Sequence, residues 1–329
     1  MDFKRTQAQY MEHCRSRHLR PRTLISYEQT LVLFALWMEQ THGVNQVEAV
    51  REAHIRQYIL DLQSRGKYTF CSTDGGKNHP QSRRDYQQRI SNITINNYLR
   101  NLHVFFAWLM EMEYITKSPM KRIRALPEER KPREYLEDDE VKQLLRRLDR
   151  SYFSEYRDML VILLILDSGM RLGETLSIEM SQLDLHERCV LLPADKTKGR
   201  KSRTVYYSDK TARELRRWIQ FKDRYCESDY LFPVKQHGRK VKISVFERNF
   251  RQYVKRVGIT KHITPHTLRN NFAKRCLMAG MDIYTLSRLL GHSSVEVTEK
   301  AYLDLTDRDI KTKYRRFSPV EGIYYGQDD

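Results

Sequence analysis

Apolar residues recur along most of this chain every three or four positions, the spacing that gives a helix one buried face. After Pro21-Arg22-Thr23, the stripe Leu24, Tyr27, Leu31, Phe34 and Met38 predicts a helix, and Gly43 closes it. Ile55, Ile59 and Leu62 keep the same spacing within residues 53–62. Tyr98, Leu102, Phe105, Phe106 and Leu109 mark a further helix from about Thr94. Another is expected near residues 137–148, and the unbroken apolar run 159–166 reads as a buried helix stopped at Asp167-Ser168-Gly169. Residues 189–192 and 203–207 are the strand-like runs, with a turn at 195–201 in which Gly199 permits a hairpin and Lys198 sits at the tip. From Thr211 onward the pattern is mainly helical, apart from a loop around His237-Gly238. The prediction is a mainly α chain with a small antiparallel β-sheet.

Three short helices are expected between His266 and Tyr302. Leu268, Phe272, Cys276 and Ala279 share a face in the first, and Gly280 suits a left-handed stop. Asp282 caps the second, Ile283, Leu286, Leu289 and Leu290 form its stripe, and Gly291 ends it. Ser293 and Glu296 have capping-box spacing at the start of the third, which carries Val295, Thr298 and Tyr302 toward one side. His266 and Arg269, three apart, can point the same way. Polar groups therefore fall at helix starts, helix stops or on one helix face.

Between these elements lie two irregular stretches. Residues 64–91 are rich in Gly, Ser, Asn, Arg and Gln and read as a long insertion. Its basic members Lys67, Lys77, Arg83, Arg84 and Arg89 suit either DNA phosphates or a plain solvated loop. Pro127 and Pro132 bracket a charged linker at 126–134, which divides a first domain, 1–125, from a second, 135–329.

Charge changes the picture. Across 329 residues, 59 Lys and Arg against 42 Asp and Glu give a net charge of +17, shared by both halves of the chain. So large an excess points to a polyanion, nucleic acid first. The cysteines, Cys14, Cys71, Cys189, Cys226 and Cys276, are scattered and form no CxxC pair, which argues against a zinc site or a disulfide framework and suits a reducing cytosol. No signal peptide opens the chain, and the longest apolar run is far short of the roughly 18 residues a membrane span requires.

The chemistry resides in a few polar residues. A guanidinium matches two phosphate oxygens in a planar fork, an imidazole donates or moves protons, and a phenol oxygen can form a covalent phosphoester. Each has a plainer reading. A tyrosine at helical spacing is usually core, His292 suits a helix C-terminal cap as an imidazolium, and a lysine on a hairpin tip is ordinarily a solubilising charge. Their combination is what counts.

Taken in order, Arg171, Lys198, His266, Arg269, His292 and Tyr302 resemble the set found in the tyrosine recombinases, or phage-type integrases. Asp167-Ser168-Gly169-Met170-Arg171-Leu172-Gly173-Glu174 is similar to that family's first arginine box. Thr197-Lys198-Gly199-Arg200-Lys201-Ser202-Arg203 resembles its lysine hairpin, and His266-Thr267-Leu268-Arg269, Leu290-Gly291-His292 and Tyr302 its second box. The first domain resembles the family's helical core-binding domain, including Thr94-Ile95-Asn96-Asn97-Tyr98-Leu99. Residues 64–91 are longer than the usual connection there. The chain opens directly on core-binding helices, a pattern that fits the Xer and simple transposon branches rather than arm-site integrases.

The resemblance implies a site-specific recombinase of double-stranded DNA in the bacterial cytoplasm, associated with the nucleoid. Tyr302 would attack the scissile phosphate to leave a 3′-phosphotyrosine and a free 5′-hydroxyl. Arg171 and Arg269 would clamp the non-bridging oxygens, and Lys198 would protonate the leaving oxygen. His266 would assist at the phenol, His292 would hydrogen-bond the phosphate, and Glu174 would orient Arg171. No metal, cofactor or ATP is implied. A homo-tetramer would act on synapsed DNA through a Holliday junction, with the tail 303–329 exchanged between protomers; a helix over 304–317 would present Ile310, Tyr314 and Phe317. Integration, excision, transposition and resolution share this chemistry. Two alternatives keep part of the pattern: a type IB topoisomerase acting as a monomer, and a non-enzymatic DNA-binding regulator.

Overall fold

The computed structural model describes residues 1–70, 83–128, 134–194, 197, 201–292, 294–296, 298–299 and 305–317. The chain divides into two compact units, Met1–Arg130 and Lys131–Asp329.

The first unit is helical. Helix α1 (Phe3–Ser16) precedes α2 (Pro21–His42), α3 (Glu52–Ser64) and α4 (Asn92–Glu111). Pro21 opens α2, and Gly43 ends it at φ 64°, where its amide donates to the Glu39 carbonyl. The packed pairs are α1 with α2, α2 with α4 and α3 with α4. Their shared core is aromatic. Tyr10 meets the Phe105 edge at 5.2 Å, and Phe34 meets Tyr58 at 5.1 Å, edge-on geometries that favour ring quadrupoles. The insertion has a paired base: Gly66 bridges Arg89, and Lys67 and Gln87–Gln88 exchange backbone hydrogen bonds of 2.8 and 3.0 Å. Residues 71–82, which include Lys77, lie outside the described residues.

The second unit is built on α6 (Phe153–Ser168), into which the apolar run falls. Its Met159, Leu160, Val161, Ile162, Leu164 and Ile165 are all buried. Burying each such side chain is worth about 1.5–3 kcal/mol, so this helix anchors the core. Gly169 stops it at φ +67°. A side chain there would also collide, since a Cβ would stand 2.4 Å from the Phe272 ring. Around α6 pack α5 (Asp138–Arg146), the short α7 (Leu172–Thr175), α8 (Asp209–Asp223) and α10 (Pro265–Met278). Helices α9 (Ile243–Arg256), α11 (Ile283–Leu290) and α12 (Asp307–Phe317) are also among the described residues of the unit.

The sheet holds β1 (Leu183–Asp184), β2 (Cys189–Leu192) and β3 (Arg203–Tyr206), antiparallel in that order. Pairing runs from Cys189 opposite Tyr206 to Leu192 opposite Arg203, so the ten residues 193–202 separate the two strands. The segment is therefore longer than a tight hairpin turn. Mainly helical architecture with a small antiparallel sheet is thus what the structure contains. No described helix is long and apolar enough to cross a membrane.

Candidate active site

The site forms where α11 stops. A helix leaves its last carbonyls without intrahelical partners, and together they carry a partial negative charge. Here three consecutive carbonyls at that end each accept from a different guanidinium. Arg203 Nε donates to the Leu289 carbonyl at 3.3 Å, Arg269 Nη2 to Leu290 at 2.7 Å, and Arg171 Nη2 to Gly291 at 3.1 Å. Local sequence sets this up. Asp282 caps the start of α11 by accepting from the Thr285 amide at 2.9 Å, and Gly291 takes φ 62° at its end, turning the chain toward His292.

Each guanidinium reaches the helix end from a different element. Arg171 is the residue from which α7 starts, Arg203 opens β3, and Arg269 lies on α10. Arg269 is 4% exposed, and its Nη1 also donates to the Gly169 carbonyl at 2.6 Å. Thus the glycine that ends α6 holds the second arginine as well. Glu174, likewise 4% exposed, is the carboxylate shared by the group. Arg203 forks onto it with bonds of 2.7 and 3.2 Å, while Arg171 gives one bond from Nη1 at 2.9 Å and one from its own amide at 3.0 Å. Burial by itself pushes the Glu174 carboxyl up, but the bonds and charges of Arg203 and Arg171 outweigh it and hold the group below its usual range.

Among the described residues one carboxylate, Glu174, pairs with this cluster of three guanidiniums and does not balance it. Burial first, then the like charge of Arg171, press Arg269 down to about 9, still a cation at neutral pH. His292 feels the same field: burial first, and then Arg269, Arg171, His266 and Arg203, press its imidazole down to about 4. It is therefore neutral near pH 7, against the plainer reading of His292 as an imidazolium helix cap. The reason is that the helix end is already occupied by guanidiniums. His292 Nδ1 instead lies 2.7 Å from the buried Thr298 hydroxyl.

The structure brings Arg171, Arg269 and His292 together. His266 is exposed one turn before Arg269 on α10, with its charge felt at His292. Lys198 and Tyr302 lie outside the described residues, as do Gly199 and Ser293. Thr197, beside Lys198, is buried; its hydroxyl accepts from the Lys201 amide at 3.2 Å and lies 2.8 Å from the Lys201 carbonyl and 3.1 Å from that of Ala194. Of the third expected helix, residues 294–296, 298 and 299 are described, with the Thr298 and Glu299 amides on the Val295 carbonyl. Arg203 and Thr298 were not singled out chemically by sequence. The one available signal was Arg203's place at the end of the lysine segment, at the mouth of a strand.

A family model described as the phage integrase family matches residues 134–309, more than half of the chain. The protein belongs to that family and is a site-specific tyrosine recombinase. Among its relatives is tyrosine recombinase XerC of Chlorobaculum parvum, 24% identical over 340 residues, covering 94% of this chain and 93% of the relative. Tyrosine recombinase XerD of Listeria monocytogenes is 26% identical over 308 residues, covering 92% and 94%. The fold is shared with the Tn1549 transposon integrase solved with a circular intermediate DNA, at a TM-score of 0.72 and 17% identity, over 97% of this chain and 100% of that one. It is also shared with the XerH recombinase bound to palindromic difH substrate in a post-cleavage complex, at 0.69 and 19%, over 96% and 85%.

Proposed function

We propose that this recombinase cuts and rejoins duplex DNA with Tyr302 as nucleophile and Arg171, Lys198, His266, Arg269 and His292 as its supporting groups. The observation that carries the reading is the uncompensated positive charge at the end of α11. Three guanidiniums gather there, two of them bonded to Glu174, the one carboxylate paired with them among the described residues, and a phosphodiester supplies the missing negative charge. In the reaction the Tyr302 oxygen bonds to phosphorus as the bond to the 5′ oxygen breaks. The phenolic proton passes to His266, and the leaving oxygen takes a proton from Lys198. Arg171 and Arg269 neutralise charge that grows on the non-bridging oxygens. With the Thr298 hydroxyl donating to Nδ1, neutral His292 carries its proton on Nε2 and donates it to the phosphate. A foreign 5′-hydroxyl attacking the phosphotyrosine reverses the step and joins the exchanged strands, so the bond energy is conserved.

The first unit acts as the core-binding domain, and four protomers act on two duplexes through a Holliday junction. The tail joins neighbouring protomers. On α12, Ile310 is 54% and Tyr314 64% exposed, while Asp309 pairs with Lys274 of α10 at 2.8 Å, so the helix is tethered at its start and bare on its apolar side. The cell compartment is the bacterial cytoplasm, and the service is movement or resolution of a mobile element or replicon.

A pool of nicked duplexes of randomised sequence, incubated with the protein and denatured, tests this reading. Covalent adducts are expected from the wild-type protein, and sequencing them gives the site. Tyr302→Phe should bind the recovered duplex and yield no adduct; an adduct from that variant would assign the nucleophile elsewhere. Truncation after Leu305 should leave single-site binding intact and abolish synapsis, and normal recombination by the truncated chain would remove the tail from the account.

A further inference from the structure

Arg203 is the residue that ties together the pieces of the site. From the first position of β3 its fork covers both oxygens of Glu174, and its Nε reaches the end of α11. Its guanidinium lies against bare backbone, since a Cβ on Gly291 would stand 2.9 Å from its Cδ, Cζ and Nε. A carboxylate offers about four acceptor positions. On Glu174 they are divided evenly: Arg203 takes two, and Arg171 takes two with Nη1 and its amide. That division leaves Arg171 Nη2 on the Gly291 carbonyl.

Taking Arg171 to be a phosphate ligand, we propose that Arg203 is a positioning residue for DNA cleavage: by occupying half of Glu174, it keeps the Arg171 guanidinium from closing onto that carboxylate. An arginine and a carboxylate left alone prefer the two-bond fork. With Arg203 gone, the vacated oxygens are buried, and Arg171 is the cation already bonded to them. Arg171 then leaves Gly291 for Glu174 and its charge is spent on a protein group. Alternatively Glu174 takes a proton. Among the described residues the charged groups facing it are Arg171 at the start of α7, Arg203 on β3 and Arg269 on α10, with neutral His292 beyond α11. Loss of one of these cations allows burial to win and moves the carboxyl upward.

The test uses the duplex recovered by adduct capture, with single-turnover cleavage and gel-shift affinity measured from about pH 5 to about pH 8. Arg203→Met is expected to cleave at least about tenfold more slowly than wild type while binding within about threefold. Its rate should recover in part as pH drops and a proton on Glu174 loosens the hold on Arg171, across a range where the wild-type rate is level. Arg203→Lys keeps a cation beside Glu174 but cannot fork, so its rate should be reduced and its acid limb should match wild type. Cleavage by Arg203→Met within about threefold of wild type overturns the proposal, as does a slower rate with an unchanged pH profile and a matching loss of melting temperature. If Arg203→Met fails to fold, Arg203→Lys decides, and a wild-type rate from it is the overturning result. A wild-type protein that yields no adduct sinks the reading of the site and the proposal with it, a failure visible before any Arg203 variant is made.

Discussion

The second unit buries two ionic networks, and they are built on opposite rules. The first centres on Asp158. Arg157 holds one oxygen with Nε and Nη2 at 2.9 and 2.8 Å, and Tyr253 and Asn249 donate to the other at 2.9 and 3.1 Å. The remaining Arg157 reach goes to the Pro233 carbonyl at 3.1 Å. One cation meets one anion, and the neutral donors complete it. The second, at the end of α11, has Arg171, Arg203 and Arg269 around Glu174, plus a histidine forced neutral. Among the described residues the hydrogen bonds there are satisfied while the charge is left unbalanced. A network closed in both respects can hold a structure; one closed only in hydrogen bonds holds a structure and attracts an anion.

That contrast can be broken at four points. The largest effect is expected from Arg269→Met, which should slow single-turnover cleavage by about 10²–10³-fold, the cost of losing one donor to developing charge. Its stability should change by less than about 2 kcal/mol, because relief of like-charge repulsion opposes two carbonyls left without a donor. Asp158→Ala should do the reverse, costing about 3–5 kcal/mol in urea unfolding because Arg157 is left buried and unpaired. Cleavage per folded molecule should stay near wild type. Third, sulfate at about 100 times its dissociation constant should stabilise the wild-type protein by about 2.7 kcal/mol, seen as a rise in melting temperature, with no comparable response from an Arg171→Met/Arg269→Met double variant.

The smallest effect concerns His292. Its pKa is near 4 in the folded chain against an ordinary 6.5, so between those values the unfolded chain binds the extra proton. Stability is then fully present above about pH 6.5 and declines as pH falls toward 4. His292→Asn should flatten that part of a urea-midpoint profile, and an unchanged slope would show that burial and the three arginines do not hold His292 neutral.

Local features of the fold were legible in the sequence. Gly43, Gly169 and Gly291 end helices in the left-handed conformation, Asp282 caps, and the 159–166 run lies inside α6. These signals belong to neighbours in the chain, where spacing and residue type decide. The strands β2 and β3 were readable for the same reason, but β1 is only Leu183–Asp184 and gives no alternation to read. At the site, the pairing of Arg171 with Glu174 was readable because it spans one helical turn. Arg203 was not, because its partners lie 29 and 86 residues away. Nor could spacing show that His292 would be neutral, since that depends on burial and on cations gathered from the start of α7, β3 and α10.

One property of the α11 terminus reaches into genetics. The acceptors that seat Arg171, Arg203 and Arg269 on it are peptide oxygens, which every amino acid possesses. No exchange of Leu289 or Leu290 for another residue deletes them. Variation can disturb the seat only by bending the path of the chain, and the vulnerable letter is Gly291, whose missing side chain gives the turn its room. Tolerance at Leu289 and Leu290 and intolerance at Gly291 is the inheritance pattern such wiring produces.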